Sequence, residues 1–521
     1  MPNADLILYN AKVYTLNRKE PRAQAVAVKG KKIFAVGSNA KILRLKALKT
    51  KVINLKGKTV LPGFVDCHVH IRSYAKTLEQ PELRDLTSIK QLQKRLRQAA
   101  TGKPPNAWIT ARGFDEEKFK EKRLPTRFDL DEAVSGNPVF ITRVDGHLSV
   151  ANTKALEIAG ITKETQFTQG GAIEKDSDTG DPTGVLTENA YDLVQGVIPK
   201  PDEKELLRIY EKACRKVVEK GLTAVHFIIT DAEDVRILQK LRKQNRLKPR
   251  IYLMIPVEHL DRLGELVFTE DDKTKVGSIK IYTDGSLGAH TAALKKPYMD
   301  DKTTKGILIY PQQKLEKIIE SVHEKGLQLA VHAIGDEAME ATLDAIEKAL
   351  RKNPKKDHRH RIEHASVLSY RLIRRMKKLG VIASVQPHFV ISDFWVTKRL
   401  GKQRARWTYP FKSLIKSGVT ACGGSDCPIE PIDPLLGIWA AVARKTFAEE
   451  SLSVDEAIRL YTANAAYVSR EENAKGSIEK GKFADMTVLS QDPYNIDADN
   501  IRGTKVDMTI VDGEIVYARR L

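Results

Sequence analysis

The middle of the chain alternates apolar, strand-like runs with amphipathic stretches that end on glycine, and this alternation restricts the fold more than any other feature. The runs cover residues 221–228, 250–254, 278–282, 327–332, 361–364, 381–385 and 419–422. Several lack a polar face and are rich in Val, Ile and Leu, which suits strands covered on both sides, as in a parallel sheet wrapped by helices. The stretches 315–325, 371–379 and 413–417 stop at Gly326, Gly380 and Gly418, where glycine can adopt the left-handed conformation that closes a helix. A further apolar run, 60–66, leads into His68-Val69-His70 and brings the strand number to eight. Eight strand-helix units are the pattern of a parallel (β/α)8 barrel of the TIM type, with its active site at the carboxyl ends of the strands.

Both chain ends read differently. Short strand-like segments at 6–9, 12–15, 25–28, 32–36 and 51–55 are matched by others at 485–489, 508–511 and 515–517. We expect residues 1–58 and 480–521 to form one small β-sandwich domain flanking a barrel at 59–479. The interval 71–200, after the first barrel strand, is far longer than a barrel loop requires and is expected to be an inserted structured unit.

Composition narrows the class of molecule. The net charge is +20, from 87 Lys plus Arg against 67 Asp plus Glu, which raises the question of nucleic acid. The basic residues are spread along helical stretches such as 90–97 and 371–378, without zinc-finger spacing or an aromatic RNA-binding signature. A solvated, lysine-rich surface accounts for them, and no nucleic-acid partner is expected. Four cysteines in 521 residues make no disulfide framework. No apolar run approaches the roughly 20 residues of a membrane span, and the start shows no basic region followed by an apolar one. The expectation is a cytoplasmic protein without membrane association, with a homodimer among the assemblies it could form.

The chemistry gathers at the strand ends. In His68-Val69-His70, period-two alternation points both imidazoles the same way, making a two-pronged metal clamp at the end of a strand. Lys280 lies in the fourth strand, His332 and His364 close the fifth and sixth, and Asp426 follows the eighth. A lone buried histidine is more often an ordinary hydrogen-bonded side chain than a ligand. Six suitable residues at matching strand ends reverse that balance.

Several motifs resemble the metal-dependent amidohydrolase superfamily. They are the run 61–70 (LPGFVDCHVH), Lys280 with Asp284-Gly285-Ser286, His332, Glu363-His364, and Gly424-Ser425-Asp426-Cys427-Pro428. Within the superfamily they are similar to the amidohydrolase 3 group, which includes N-substituted formamide deformylase-like enzymes; Asn464-Ala465-Ala466 and the tail 481–485 extend the likeness over nearly the whole chain. The resemblance implies a site with two divalent ions, zinc suiting its histidines, about 3.5 to 4 Å apart. His68 and His70 would hold one ion, His332 and His364 the other, and a carbamate on Lys280 would bridge them. Asp426 would bind the first ion and act as the catalytic proton acceptor. A small molecule would be the substrate.

Outside this set, His147 follows the apolar run 139–141, and Glu188 closes the stretch 180–188, both within the insertion, where they are candidates for substrate contact. His388, in Gln386-Pro387-His388 after the seventh strand, is a third candidate. Cys67, Cys422 and Cys427 lie near strand ends and are read as small core residues. Three functions remain open at this point. The first is a metal-dependent hydrolase of non-peptide amide-like C–N bonds. The second is a mononuclear aromatic-amine deaminase of the same superfamily, against which Lys280 counts. The third is a non-catalytic or nucleic-acid-binding barrel, supported only by the charge.

Overall fold

The computed structural model describes residues 3–166, 171–264 and 271–519. They divide into two compact units, one made of 1–72 with 210–521 and the other of 73–209.

In the first unit, eight parallel strands follow one another around a sheet: β1 (Phe64–His70), β2 (Leu222–Ile228), β3 (Arg250–Pro256), β4 (Thr274–Tyr282), β5 (Gln328–Ala333), β6 (Arg361–His364), β7 (Ile382–Val385) and β8 (Ala421–Gly423). The circle closes just beyond β8. Val69 bridges Cys427, and backbone hydrogen bonds run from Asp426 N to His68 O and from His70 N to Cys427 O, both 2.8 Å. Every residue of β2 is buried, as expected for a strand covered on both faces. Among the intervening helices, Asp336–Lys352 buries Met339, Leu343 and Ile346 on one side. Helices Gln312–Glu324, Tyr370–Leu379 and Phe411–Lys416 end before Gly326, Gly380 and Gly418, whose φ angles of 76°, 69° and 76° favour a residue without a Cβ.

One apolar run divides in two. Residues 60–66 were expected as a single strand, yet the chain switches sheets at Gly63. Thr59–Pro62 pairs in parallel with Lys12–Tyr14 and antiparallel with Met486–Leu489, and only Phe64–His70 enters the barrel. A Cβ on Gly63 would lie 2.2 Å from Thr223 Oγ1, so the switch requires glycine.

Strands from both chain ends meet. One sheet runs in the order Lys32–Gly37, Ala25–Lys29, Leu6–Tyr9, Lys51–Asn54; a second runs Glu514–Ala518, Val506–Val511, Met486–Leu489, Thr59–Pro62, Lys12–Tyr14, Arg22–Ala23. Leu6, Leu8, Val26 and Val28 of the first share an apolar cluster with Val13, Val60, Met486, Val488 and Ile510 of the second.

The second unit contains a five-stranded sheet in the order Gly171–Lys175, Pro182–Glu188, Leu148–Ala151, Val139–Arg143, Ile109–Phe114. Alternation along Val139–Arg143 sends Val139 and Ile141 into one apolar cluster and Phe140 into another. Among the described residues of the chain, no helix is long and apolar enough to cross a membrane.

Candidate active site

The end of β1 is organised by Asp66, which lies at the same alternation as His68 and His70. Its buried Oδ1 accepts hydrogen bonds from His68 N (3.1 Å) and Ser425 N (2.9 Å), stitching β1 to the segment after β8. Burial pushes the Asp66 carboxyl up to about 6. Gly424 permits the close approach, because a Cβ there would lie 2.8 Å from His68 N. Asp426 follows with φ 57°, a left-handed conformation unusual outside glycine.

This path brings Asp426 Oδ1 to 3.0 Å from His70 Nε2 and 3.3 Å from His68 Nε2. One ligand atom from each of the three residues lies within 4.8 Å of the others. Asp426 Oδ1 is buried and forms no hydrogen bond of good geometry with either ring. Burial raises the Asp426 carboxyl, but the imidazoles of His68 and His70 outweigh it and hold the group well below the usual carboxylate range. Burial lowers the His70 imidazole, partly offset by Asp426, which favours the neutral ring with a free lone pair. Three electron-pair donors aimed at one small volume, without protons enough to join them, fit a divalent cation.

The other expected residues border this group. Lys280, 1% exposed inside β4, places Nζ 3.3 Å from His68 Nε2 and 4.7 Å from the centre of the Tyr282 ring. Burial drives its ammonium down to about 8, against the opposing pull of Glu363 and Asp426. The His364 ring centre lies 4.9 Å from that of His68 and 4.5 Å from that of His332. Burial, reinforced by His332, holds the His364 imidazole well below its ordinary value. His364 and Ala365 have φ of 71° and 46°, so backbone strain collects where β6 meets the site. All six residues expected at the barrel mouth are therefore linked through neighbouring side chains.

Hydrogen bonds to the far ring nitrogens decide which nitrogen each histidine can offer. His68 Nδ1 lies 2.5 Å from Glu363 Oε2, so Nδ1–H donates and Nε2 keeps its lone pair. His364 Nδ1 donates to Gln386 Oε1 at 2.8 Å, which likewise leaves Nε2. His332 is reversed: Nε2 lies 3.1 Å from the Gly285 carbonyl oxygen, so Nδ1 is the free nitrogen. Asp284 supports this turn by accepting from Ala293 N, Ile334 N and Gly335 N at 2.8–3.0 Å.

Of the three candidates for substrate contact, the two histidines each hold a carboxylate partner, and for His147 that partner is the third candidate, Glu188. His388 Nδ1 is 2.5 Å from Glu430 Oε2. In the second unit, His147 Nδ1 is 2.9 Å from Glu188 Oε2, and Glu188 has φ 45° with a buried Oε1 that makes no hydrogen bond. Arg143 is held by Asp115, Glu116 and Asp145. Sequence reasoning assigned no role to Asp66, Glu363, Gln386 or Asp284 as orienting residues. Alternation with His68 and His70 was a usable signal for Asp66; the others act through partners distant in the chain.

The chain is similar to known proteins over most of its length. The model of the amidohydrolase family matches residues 51–517. YtcJ of Bacillus subtilis (strain 168) is 36% identical over 524 residues, covering 97% of this chain and 98% of that protein. The N-substituted formamide deformylase of Arthrobacter pascens is 28% identical over 541 residues, covering 99% of this chain and 98% of that enzyme. The crystal structure of an uncharacterized metal-dependent hydrolase from Pyrococcus furiosus superimposes with a TM-score of 0.77 at 32% identity, over 94% of this chain and all of the other.

Proposed function

This chain belongs to the amidohydrolase family, and we propose that it hydrolyses a non-peptide, amide-like C–N bond of a small molecule at a centre holding two divalent ions, with zinc the best match to the donors. His68, His70 and Asp426 would hold one ion, and His332 and His364 the other. Lys280, as a carbamate, would be shared between them. Divalent cations supply Lewis acidity there, polarising a carbonyl and making a proton of water easier to remove.

The residues of the chain supply the rest. Asp426 accepts the proton of the attacking water and delivers it to the departing nitrogen. Lys280 first loses its ammonium proton; the neutral amine then forms an N–C bond to carbon dioxide and releases a second proton, which turns a cation with donors only into an anionic oxygen donor. His147 and His388, each steadied by a carboxylate, contact the substrate.

The observation that carries this reading is the convergence of Asp426 Oδ1 with His68 Nε2 and His70 Nε2 beside the buried Lys280 Nζ. The name of the Arthrobacter relative supports the C–N class and puts N-substituted formamides first among trial substrates. The test combines metal analysis with turnover of N-formyl, N-acyl, ureido and cyclic amide compounds by metal-loaded protein. Two ions per chain with hydrolysis of one class supports the reading. One ion, an unmodified Lys280 and ammonia release from an aromatic amine would replace it with a deaminase. Metal-free protein with no turnover would overturn both.

A further inference from the structure

We propose that Arg361 and Glu363 form a relay that sets the tautomer of His68, making Glu363 a positioning residue for metal capture; the inference rests on His68 being a metal ligand. Glu363 is fully buried between two donors. Its Oε2 lies 2.5 Å from His68 Nδ1, and its Oε1 is ion-paired with Arg361 Nε at 2.6 Å, a charge contact whose alignment falls short of a hydrogen bond. Arg361 is itself fully buried and tied down: Nη1 lies 2.9 Å from His226 Nδ1, and Nη2 donates to the carbonyl oxygen of Cys67, the residue before His68, at 3.2 Å. The relay therefore spans β6 and β1 and ends on the histidine at the centre of the cluster.

The chemistry of the middle group is constrained from both sides. A guanidinium has donors only and keeps its protons, so the atom facing Arg361 must be an acceptor. The atom facing His68 must also be an acceptor if Nδ1 is to carry the proton. A carboxylate meets both demands, and Nε2 is then left as a bare lone pair, 3.3 Å from Asp426 Oδ1. A carboxamide has one acceptor and one donor. With its oxygen held by Arg361, its NH2 would face Nδ1, push the proton to Nε2 and close the atom that reaches the metal. The isosteric glutamine is thus the more damaging change, and the shorter aspartate, which keeps two acceptors, the milder one.

A structural role predicts the opposite order, because glutamine preserves volume and aspartate leaves a gap. The experiment measures zinc affinity of wild type, Glu363→Gln and Glu363→Asp by competition with a chromophoric chelator, with the melting of each metal-free protein alongside. The expected result is a 10- to 100-fold loss of affinity in Glu363→Gln, a smaller loss in Glu363→Asp, and partial recovery in Glu363→Gln/Arg361→Met, where the amide oxygen is free to turn to His68. Wild-type affinity in Glu363→Gln, or a greater loss in Glu363→Asp, would overturn the relay. If Glu363→Gln does not fold, nitrogen chemical shifts of His68 in histidine-labelled, metal-free wild type decide the matter: protonated Nδ1 with bare Nε2 supports the relay and the reverse tautomer refutes it. Wild type that takes up no zinc would instead sink the metal-centre reading, while the shifts still judge the relay.

Discussion

Replacing Lys280 with methionine should separate what this residue costs the fold from what it does for the site. Lys280 is 1% exposed, and its Nζ meets a ring nitrogen of His68 and the face of Tyr282. Burial takes the ammonium from 10.5 to about 8. At 1.36 kcal/mol for each tenfold change in proton affinity, the charged amine destabilises the fold by about 3 kcal/mol. The sign follows from where the proton binds better. The unfolded chain holds it more tightly, so the penalty is complete below pH 8, shrinks as pH rises towards 10.5, and is absent above that. Lys280→Met fills a similar volume without charge. Metal-free variant in carbon dioxide-free buffer at pH 7 should therefore be about 3 kcal/mol more stable than metal-free wild type, read as a higher urea midpoint at unchanged slope. The difference should close by about pH 11. Zinc binding and turnover should disappear together in the same variant, since a thioether cannot replace an anionic oxygen donor. A metal-free Lys280→Met protein less stable than wild type at pH 7 would refute the reasoning and make Lys280 a structural cation.

Asp426→Asn keeps the shape of the side chain and removes its charge; turnover should fall by several orders of magnitude with the thermal unfolding profile retained, and substantial residual activity would exclude Asp426 as proton acceptor. Gly424→Ala would place a methyl 2.8 Å from His68 N and 2.9 Å from His68 Cβ; the resulting displacement of Asp426 should weaken zinc affinity, with an overpacking cost of about 1–3 kcal/mol in chemical denaturation. His147→Ala should change kcat or KM while leaving bound metal at its wild-type content, so loss of metal or unchanged kinetics would each remove His147 from substrate contact.

Order along the chain made the barrel and the candidate residues at its mouth readable, and dependence on distant partners hid the groups that orient them. Apolar runs and glycine stops are local, so eight strands could be counted, and residues at their ends could be assigned to one mouth. The division at Gly63 was only partly local in this sense. Pro62-Gly63 is a local signal for a break, but the requirement for glycine there lies in Thr223, whose side chain fills the space a Cβ would need. Glu363 was hidden more deeply. Strict alternation sends consecutive residues of a strand to opposite faces, so accepting His364 as a ligand argued for Glu363 facing away. In the structure both meet His68, Glu363 by hydrogen bond and His364 through ring contact. The left-handed φ angles of 71° at His364 and 46° at Ala365 mark where regular strand geometry ends and alternation stops being a guide. Such conformations cost on the order of 1–3 kcal/mol each and persist only where surrounding contacts enforce them. Their position beside a proposed ligand, and again at Asp426 with φ 57°, ties the strain to the geometry of the site. Packing alone would be served as well by a regular strand end, in which Glu363 and His364 could not both reach the same imidazole.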